Sequence, residues 1–224
     1  MIHHIFCGDC AADAARPHIT DGQIHVWKDS SAVGPCSLDP AEHRRLRGAW
    51  WHLDESQLQD PATLPRDGEL ALWFGPDPWE QISLLELLAG LGRDAALVPL
   101  ACCVAELPPP NFATALAARH PAPDLAIIKD LWRAYCTDDR DALAAAITRL
   151  THDPDLPHLA AALTRVLADR HDHLTERRVR ELVAAGTTDI PALMRALAAR
   201  ELPHHGAWYG DAIVTRLRDA ALAT

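Results

Sequence analysis

Four short apolar runs within residues 1–122 are each followed by a break and a helix-like segment, and this alternation constrains the fold more than any other feature. His3–Cys7 reads as a strand that turns through Gly8-Asp9 into an Ala-rich helix, Cys10–Ala15. Gln23–Trp27 is a second strand after the Asp21-Gly22 turn, and Ala41–Trp51 reads as helical. Leu70–Phe74 is a compact apolar strand, followed by a strongly apolar helix at Pro78–Leu91, and Ala95–Val104 is a fourth run, apolar on both faces. Apolar strands separated by helices call for a parallel sheet covered on both sides, because a strand buried on both faces has no polar side to show. The expected fold is α/β: a Rossmann-like, three-layer domain over residues 1–122.

Pro108-Pro109-Pro110 breaks the chain, a helix at Phe112–Arg119 follows, and Pro121-Ala122-Pro123 breaks it again. Beyond that point no segment reads as a strand. Leu125–Tyr135, Asp139–Leu150, Leu156–Asp169, Thr175–Ala185 and Ile190–Ala199 all carry helical spacing, so residues 123–224 are expected to form an all-α domain with a winged-helix-like end. Thr175 reads as an N-terminal cap, Gly186 as a helix stop and Pro191 as the opening of the next helix.

Charge narrows the partners. The net charge is −10, and residues 1–122 hold 16 acidic against 8 basic side chains. Residues 171–224 balance 7 arginines with 7 acids, which disfavours a nucleic-acid interface built on a basic face. No apolar run is long enough to span a bilayer, and Met1–Phe6 lacks the basic start of a signal peptide. The expectation is a cytoplasmic protein without membrane contact, whose six cysteines are reduced. Cys7-Gly-Asp-Cys10 has C-x-x-C spacing, but no second such pair completes a zinc site, and Cys102-Cys103 reads as a buried pair in the fourth apolar run. His171-Asp-His173 and His204-His205 read as solvated turns rather than metal ligands. No phosphate-binding glycine loop is present.

In open parallel sheets ligands bind beyond the carboxyl ends of the strands. Three expected strand ends carry polar groups there: Gly8-Asp9-Cys10, then Trp27-Lys28-Asp29 with Gly34-Pro35, then Gly75-Pro76-Asp77 with Gln81 one turn later. Asp9, Asp29 and Asp77 are the candidate catalytic carboxylates, and as one cluster they would raise one another's pKa or hold a divalent cation. The competing reading is that each caps a helix. Cys10 is a further candidate, at a helix start where a thiol is acidified, although a small buried cysteine is the preferred reading. Gly8-Asp9-Cys10 resembles the Gly-Asp-Ser opening of the GDSL-type esterases, whose late Asp-x-x-His is matched by Asp155-Leu-Pro-His158 alone. Of seven tryptophans, Trp27, Trp73 and Trp79 are expected to wall the pocket, and Trp50, Trp51, Trp132 and Trp208 to fill the gap between layers.

The same residues give the chain its family resemblance. It resembles the uncharacterised bacterial family known as domain of unknown function 1835, through Gly8-Asp9-Cys10, through Trp27, Asp29, Gly34 and Pro35, and through Trp73, Phe74, Asp77, Gln81, Leu84 and Leu85. Trp132, Ala134 and Tyr135 match a further block, and Tyr209, Gly210 and Asp211 a last one. The chain departs from that pattern at Gly75-Pro76, where the family often carries an acidic residue and His, and at Cys7 and Cys10, where relatives carry Asn and Ser. The resemblance implies an architecture and a residue set, and no activity. From it and the residues, the expected function is a small-molecule enzyme or binding protein for a polar substrate. Asp9 or Asp29 would be the base or cation ligand, Gln81 the orienting group, and Gly8, Trp27, Gly34, Pro35, Trp73 and Tyr135 the substrate wall. Hydrolase or transferase chemistry enters by fold analogy only. The alternatives are a regulatory or adaptor protein binding a protein or DNA through its helical tail, and a thiol- or metal-dependent accessory protein using Cys7 and Cys10.

Overall fold

A computed structural model describes residues 1–202, 205–206 and 208–223. The apolar alternation becomes β1 (Ile2–Cys7), α1 (Gly8–Ala15), β2 (Gln23–Trp27), α2 (Pro40–Trp51), β3 (Glu69–Trp73), α3 (Pro78–Gly90) and β4 (Ala96–Leu97). After α4 (Asn111–Ala117) comes β5 (His120–Pro121), and then α5 (Leu125–Thr137), α6 (Arg140–Leu150), α7 (Leu159–Asp172), α8 (Leu174–Ala184), α9 (Ile190–Ala198) and α10 (Asp211–Leu222). The sheet order is β2-β1-β3-β4-β5, with β1 to β4 parallel and β5 antiparallel to β4.

Period-two alternation decides which side chain enters which layer. Ile5 and Cys7 of β1, and Leu70 and Leu72 of β3, join the core under α3; Phe6, Ala71 and Trp73 face the other way, toward Ala11, Ala12 and Ala15 of α1 and Phe112 of α4. Burying Ile5, Phe6, Leu70 or Leu72 contributes roughly 1.5–3 kcal/mol each, so the alternation fixes the register of both strands. Phe6 lies opposite Trp73 in the ladder, and their rings stack at 5.3 Å.

Helix α3 is buried almost all round, since its outer face packs against α5 and α7. One continuous apolar core therefore runs from the sheet through α3 to Leu163, Val179, Leu197 and Val214 of the later helices. Arg165 sits within those helices and is held by Glu201, by Asp169 at 2.8 Å, by Thr175 at 2.7 Å and by Tyr209 at 2.8 Å.

Several expectations are corrected. The fourth run is a strand only at Ala96–Leu97: Val98 donates a last bond to Leu72, and Pro99 has no N–H with which to continue the ladder. Cys102 and Cys103 therefore lie half-buried in the loop after the strand, not inside the sheet. The break at Pro121 contains the short antiparallel β5, which the sequence reading did not expect. Thr175 caps nothing; it is buried against Asp169 and Arg165, and the preceding His173 takes the left-handed turn between α7 and α8. Among the described residues no strand follows β5, so the strand pair of a winged helix is not formed there, and α10 is a helix the sequence reading missed.

Candidate functional site

The carboxyl ends of β1, β2 and β3 lead directly to Asp9, Asp29 and Asp77, which stand on one rim because the three strands are parallel. They do not share one cluster of ligand atoms. Asp9 is exposed and pairs with Lys28 at 2.8 Å, a contact between two solvated groups that adds little stability.

Asp29 is a structural clamp. Both its oxygens accept from the buried Arg47 guanidinium, at 2.8 and 2.5 Å, and one also accepts from Trp51 Nε1 and from the Ser30 amide, each at 2.8 Å. Burial pushes the Asp29 carboxyl up, but the bonds and charge of Arg47 outweigh it and hold the group below the ordinary aspartate range. Arg47 spends its remaining donors on the carbonyls of Ser30, Val33 and Pro35, so this ion pair ties the loop after β2 to α2. Beside it Glu86 accepts from the Ser31 amide at 3.2 Å and contacts His43 Nε2 at 3.1 Å. Asp29, His43 and Glu86 have ligand atoms within 4.8 Å of one another, but Arg47 already supplies the positive charge.

Asp77 differs. It caps α3 by accepting from the Glu80 amide at 2.8 Å, which follows from Asp-Pro at a helix start with an acid at the third position. Glu80 is turned back under the same loop, where it accepts from the Gly75 amide at 2.5 Å. Asp77 and Glu80 are 8% and 7% exposed, and among the described residues neither forms an ion pair. Burial pushes the Asp77 carboxyl up; burial and then the Asp77 charge push Glu80 far up. Two adjacent carboxyls in low dielectric hold a proton between them more readily than two charges. The Cys103 thiol reaches Asp77 Oδ2 at 3.5 Å, and burial with the nearby carboxylates raises both Cys103 and the enclosed Cys7. Asp77, Glu80 and Cys103 offer three ligand atoms within 4.8 Å, a carboxylate and thiolate set that would suit zinc.

The remaining expected wall is redistributed. Trp27 and Trp73 are core residues, 2% and 0% exposed, and Trp73 donates to His4 rather than lining a rim. Tyr135 is buried, with its hydroxyl on the Ser31 carbonyl at 2.6 Å. Gln81 donates to the Gly75 carbonyl at 2.7 Å, shaping the Asp77 loop from beneath. Gly34 has φ +79°, and a Cβ there would strike the Trp50 ring at 2.6 Å; Pro35 serves the Arg47 clamp through its carbonyl. Gly8 also takes positive φ as it opens α1, with open space around it, and Cys10 in the first turn is exposed, not the buried cysteine expected, because α1 turns it away from the face packed on the sheet through Ala11, Ala12 and Ala15. His171 turns to Asp138 at 2.7 Å and His173 to Glu176, so these two histidines do not converge, and His204 lies outside the described residues.

A cavity of about 340 Å³ opens on this rim between Lys28, Asp29, Trp51, Leu58, Trp79 and Gly210. A larger cleft, about 650 Å³, lies at the opposite edge, beside the strand starts Glu69 and Ala96. The rim cavity is the better candidate because it stands beyond the carboxyl end of β2, against Trp79 in the first turn of α3. Sequence reasoning missed Glu80 and Cys103 as site members. The acid three residues after Asp77 was a visible capping signal, but nothing local placed Cys103 beside it.

The fold and rim define an α/β protein with a mostly parallel sheet, flanking helices and a polar strand-end site. Compared with family models, curated proteins and solved structures, the chain matches none of them.

Proposed function

We propose that this chain is a cytoplasmic enzyme acting on a polar small molecule, by hydrolysis or group transfer, at the carboxyl-end rim of its sheet. The observation that carries this reading is the Asp77–Glu80 pair: two adjacent buried carboxyls with no ion-pair partner among the described residues. Such a pair costs stability, and a raised carboxyl pKa is what acid–base chemistry at neutral pH uses. In this reading Glu80 donates the proton and Asp77 positions it, while Trp79, which stands between them in sequence, lines the rim cavity together with Lys28. The order β2-β1-β3-β4 supports a Rossmann-like doubly wound sheet whose crossovers reverse between β1 and β3, the crevice from which Gly8 and Asp77 both emerge. Residues 123–224 then act as an all-α domain that closes over α3. Membership of domain of unknown function 1835 belongs to the same reading, since its blocks open α1 and α3 and its Gly210 lines the rim cavity.

The test is thermal-shift screening with sugar phosphates, nucleosides and carboxylic acids on wild type, Asp77→Asn and Glu80→Gln. A compound that stabilises wild type and fails on folded Glu80→Gln supports the site; equal binding by all three, or a soaked crystal with the compound in the opposite cleft, overturns it. Zinc, magnesium, manganese and calcium are titrated alongside. Tight zinc retention lost in Glu80→Gln would favour a Lewis acid held by Asp77, Glu80 and Cys103 over a proton shared by the two carboxyls.

A further inference from the structure

A separate cavity, about 300 Å³, lies beyond the carboxyl ends of β3 and β4, on the α3 side of the sheet. It is lined by Leu72, Phe74, Leu84, Leu97, Leu100 and Leu156, and the loop between α6 and α7, residues 154–158, borders it. That loop is held in place. His158 Nε2 donates to the Leu100 carbonyl at 3.0 Å, and Asp153 accepts from the amides of Asp155 and Leu156 at 2.9 and 3.3 Å.

Among the lining residues Gln81 is the buried polar one, 3% exposed. Its Nε2 donates to the Gly75 carbonyl at 2.7 Å, which fixes the sense of the amide, since the flipped amide would set two oxygens against each other. Oε1 is the end left over, and among the described residues nothing donates to it. A buried acceptor without a donor is costly, and native structures seldom leave one unpaired. A water would find few of the about two to four polar partners that hold one, because most of this wall is apolar.

We propose that this cavity is a ligand site for a compact, mostly apolar ring compound carrying one neutral N–H or O–H, which Gln81 Oε1 receives. Size and chemistry both set the class. A cavity of about 150 Å³ already admits benzene, so about 300 Å³ has room for two fused rings. The leucines and Phe74 favour the ring through burial, whereas a charged group would lose its hydration there without gaining an opposite charge. The lining groups that can carry charge, His120, His158 and Asp155, sit closer to solvent, with His120 and Asp155 3.7 Å apart. Neither Asp77 nor Glu80 lines the cavity, so the site does not rest on the acid–base reading.

The experiment titrates the reduced, full-length protein with indole and with benzofuran in a calorimeter. The two rings share one shape, and only indole has an N–H. Wild type should bind indole about tenfold more tightly than benzofuran, the worth of one neutral hydrogen bond. Gln81→Leu should abolish that preference, with benzofuran bound at least as well as indole. Ala101→Trp, at an exposed position on the lining, should block both rings and leave the melting temperature unchanged. A soaked crystal should place the indole nitrogen within hydrogen-bond distance of Gln81 Oε1. No indole binding at millimolar concentration, equal affinity for the two rings, or an indole affinity untouched by Ala101→Trp would overturn the proposal. The wild-type comparison and Ala101→Trp decide it even if Gln81→Leu, which also frees the Gly75 carbonyl, does not fold.

Discussion

Replacing Arg47 by Met removes the guanidinium while keeping most of the side-chain volume, and so tests whether Asp29 is a clamp. Arg47 is 0% exposed and makes five hydrogen bonds, two to Asp29 and three to the carbonyls of Ser30, Val33 and Pro35. Breaking a buried pair by removing one partner costs about 3–5 kcal/mol, and carbonyls left without donors add to it, so a loss of about 4–6 kcal/mol is expected. For a chain of this size that is a fall in melting temperature of roughly 10–20 °C. Urea unfolding followed by tryptophan fluorescence reads it directly.

The pH dependence supplies a second, independent readout. In wild type the folded Asp29 pKa lies below its unfolded value, so its contribution is complete above about pH 4 and is lost as pH falls through the folded pKa. Without Arg47 only burial and neutral donors remain, burial being the strongest influence on this group, and the folded pKa rises above the unfolded one. The sign reverses: the variant's deficit should grow as pH climbs from about 4 toward neutrality. Adding Asp29→Asn should then recover about 1–2 kcal/mol by removing the uncompensated charge. A single variant within about 1 kcal/mol of wild type, with an unchanged pH slope, would refute the clamp.

Glu80→Gln should stabilise the protein at neutral pH, because the folded Glu80 and Asp77 pKa values are raised and their cost is absent below the unfolded value and grows as pH rises through the folded one. Urea unfolding at mildly acid and mildly alkaline pH should show a flatter profile in the variant; an identical slope would remove the buried pair from consideration. Arg165→Met should cost about 3 kcal/mol by stranding polar groups of Glu201, Tyr209 and Thr175. Amide exchange should accelerate first across α8–α10, and equal acceleration in β1 and β3 would count against that network being local.

The sequence by itself determined the parallel sheet and most helices. The apolar runs of β1 and β3 alternate between two cores, Gly186 ends α8 in a left-handed turn, and Pro191 opens α9, each a local consequence of side-chain shape or backbone freedom. It also placed polar groups at the right strand ends, since a parallel sheet sends every such end to one rim. What those groups do was decided only by tertiary structure. Asp9, Asp29 and Asp77 look alike in sequence, each following a strand, yet one is solvated beside Lys28, one is neutralised by Arg47, and one is buried beside Glu80. A carboxyl's charge state depends on the dielectric and the charges within a few ångströms, and most of those neighbours come from distant segments. Arg47 stands 18 residues from Asp29 and Cys103 stands 26 from Asp77, separations across which no local periodicity carries a signal.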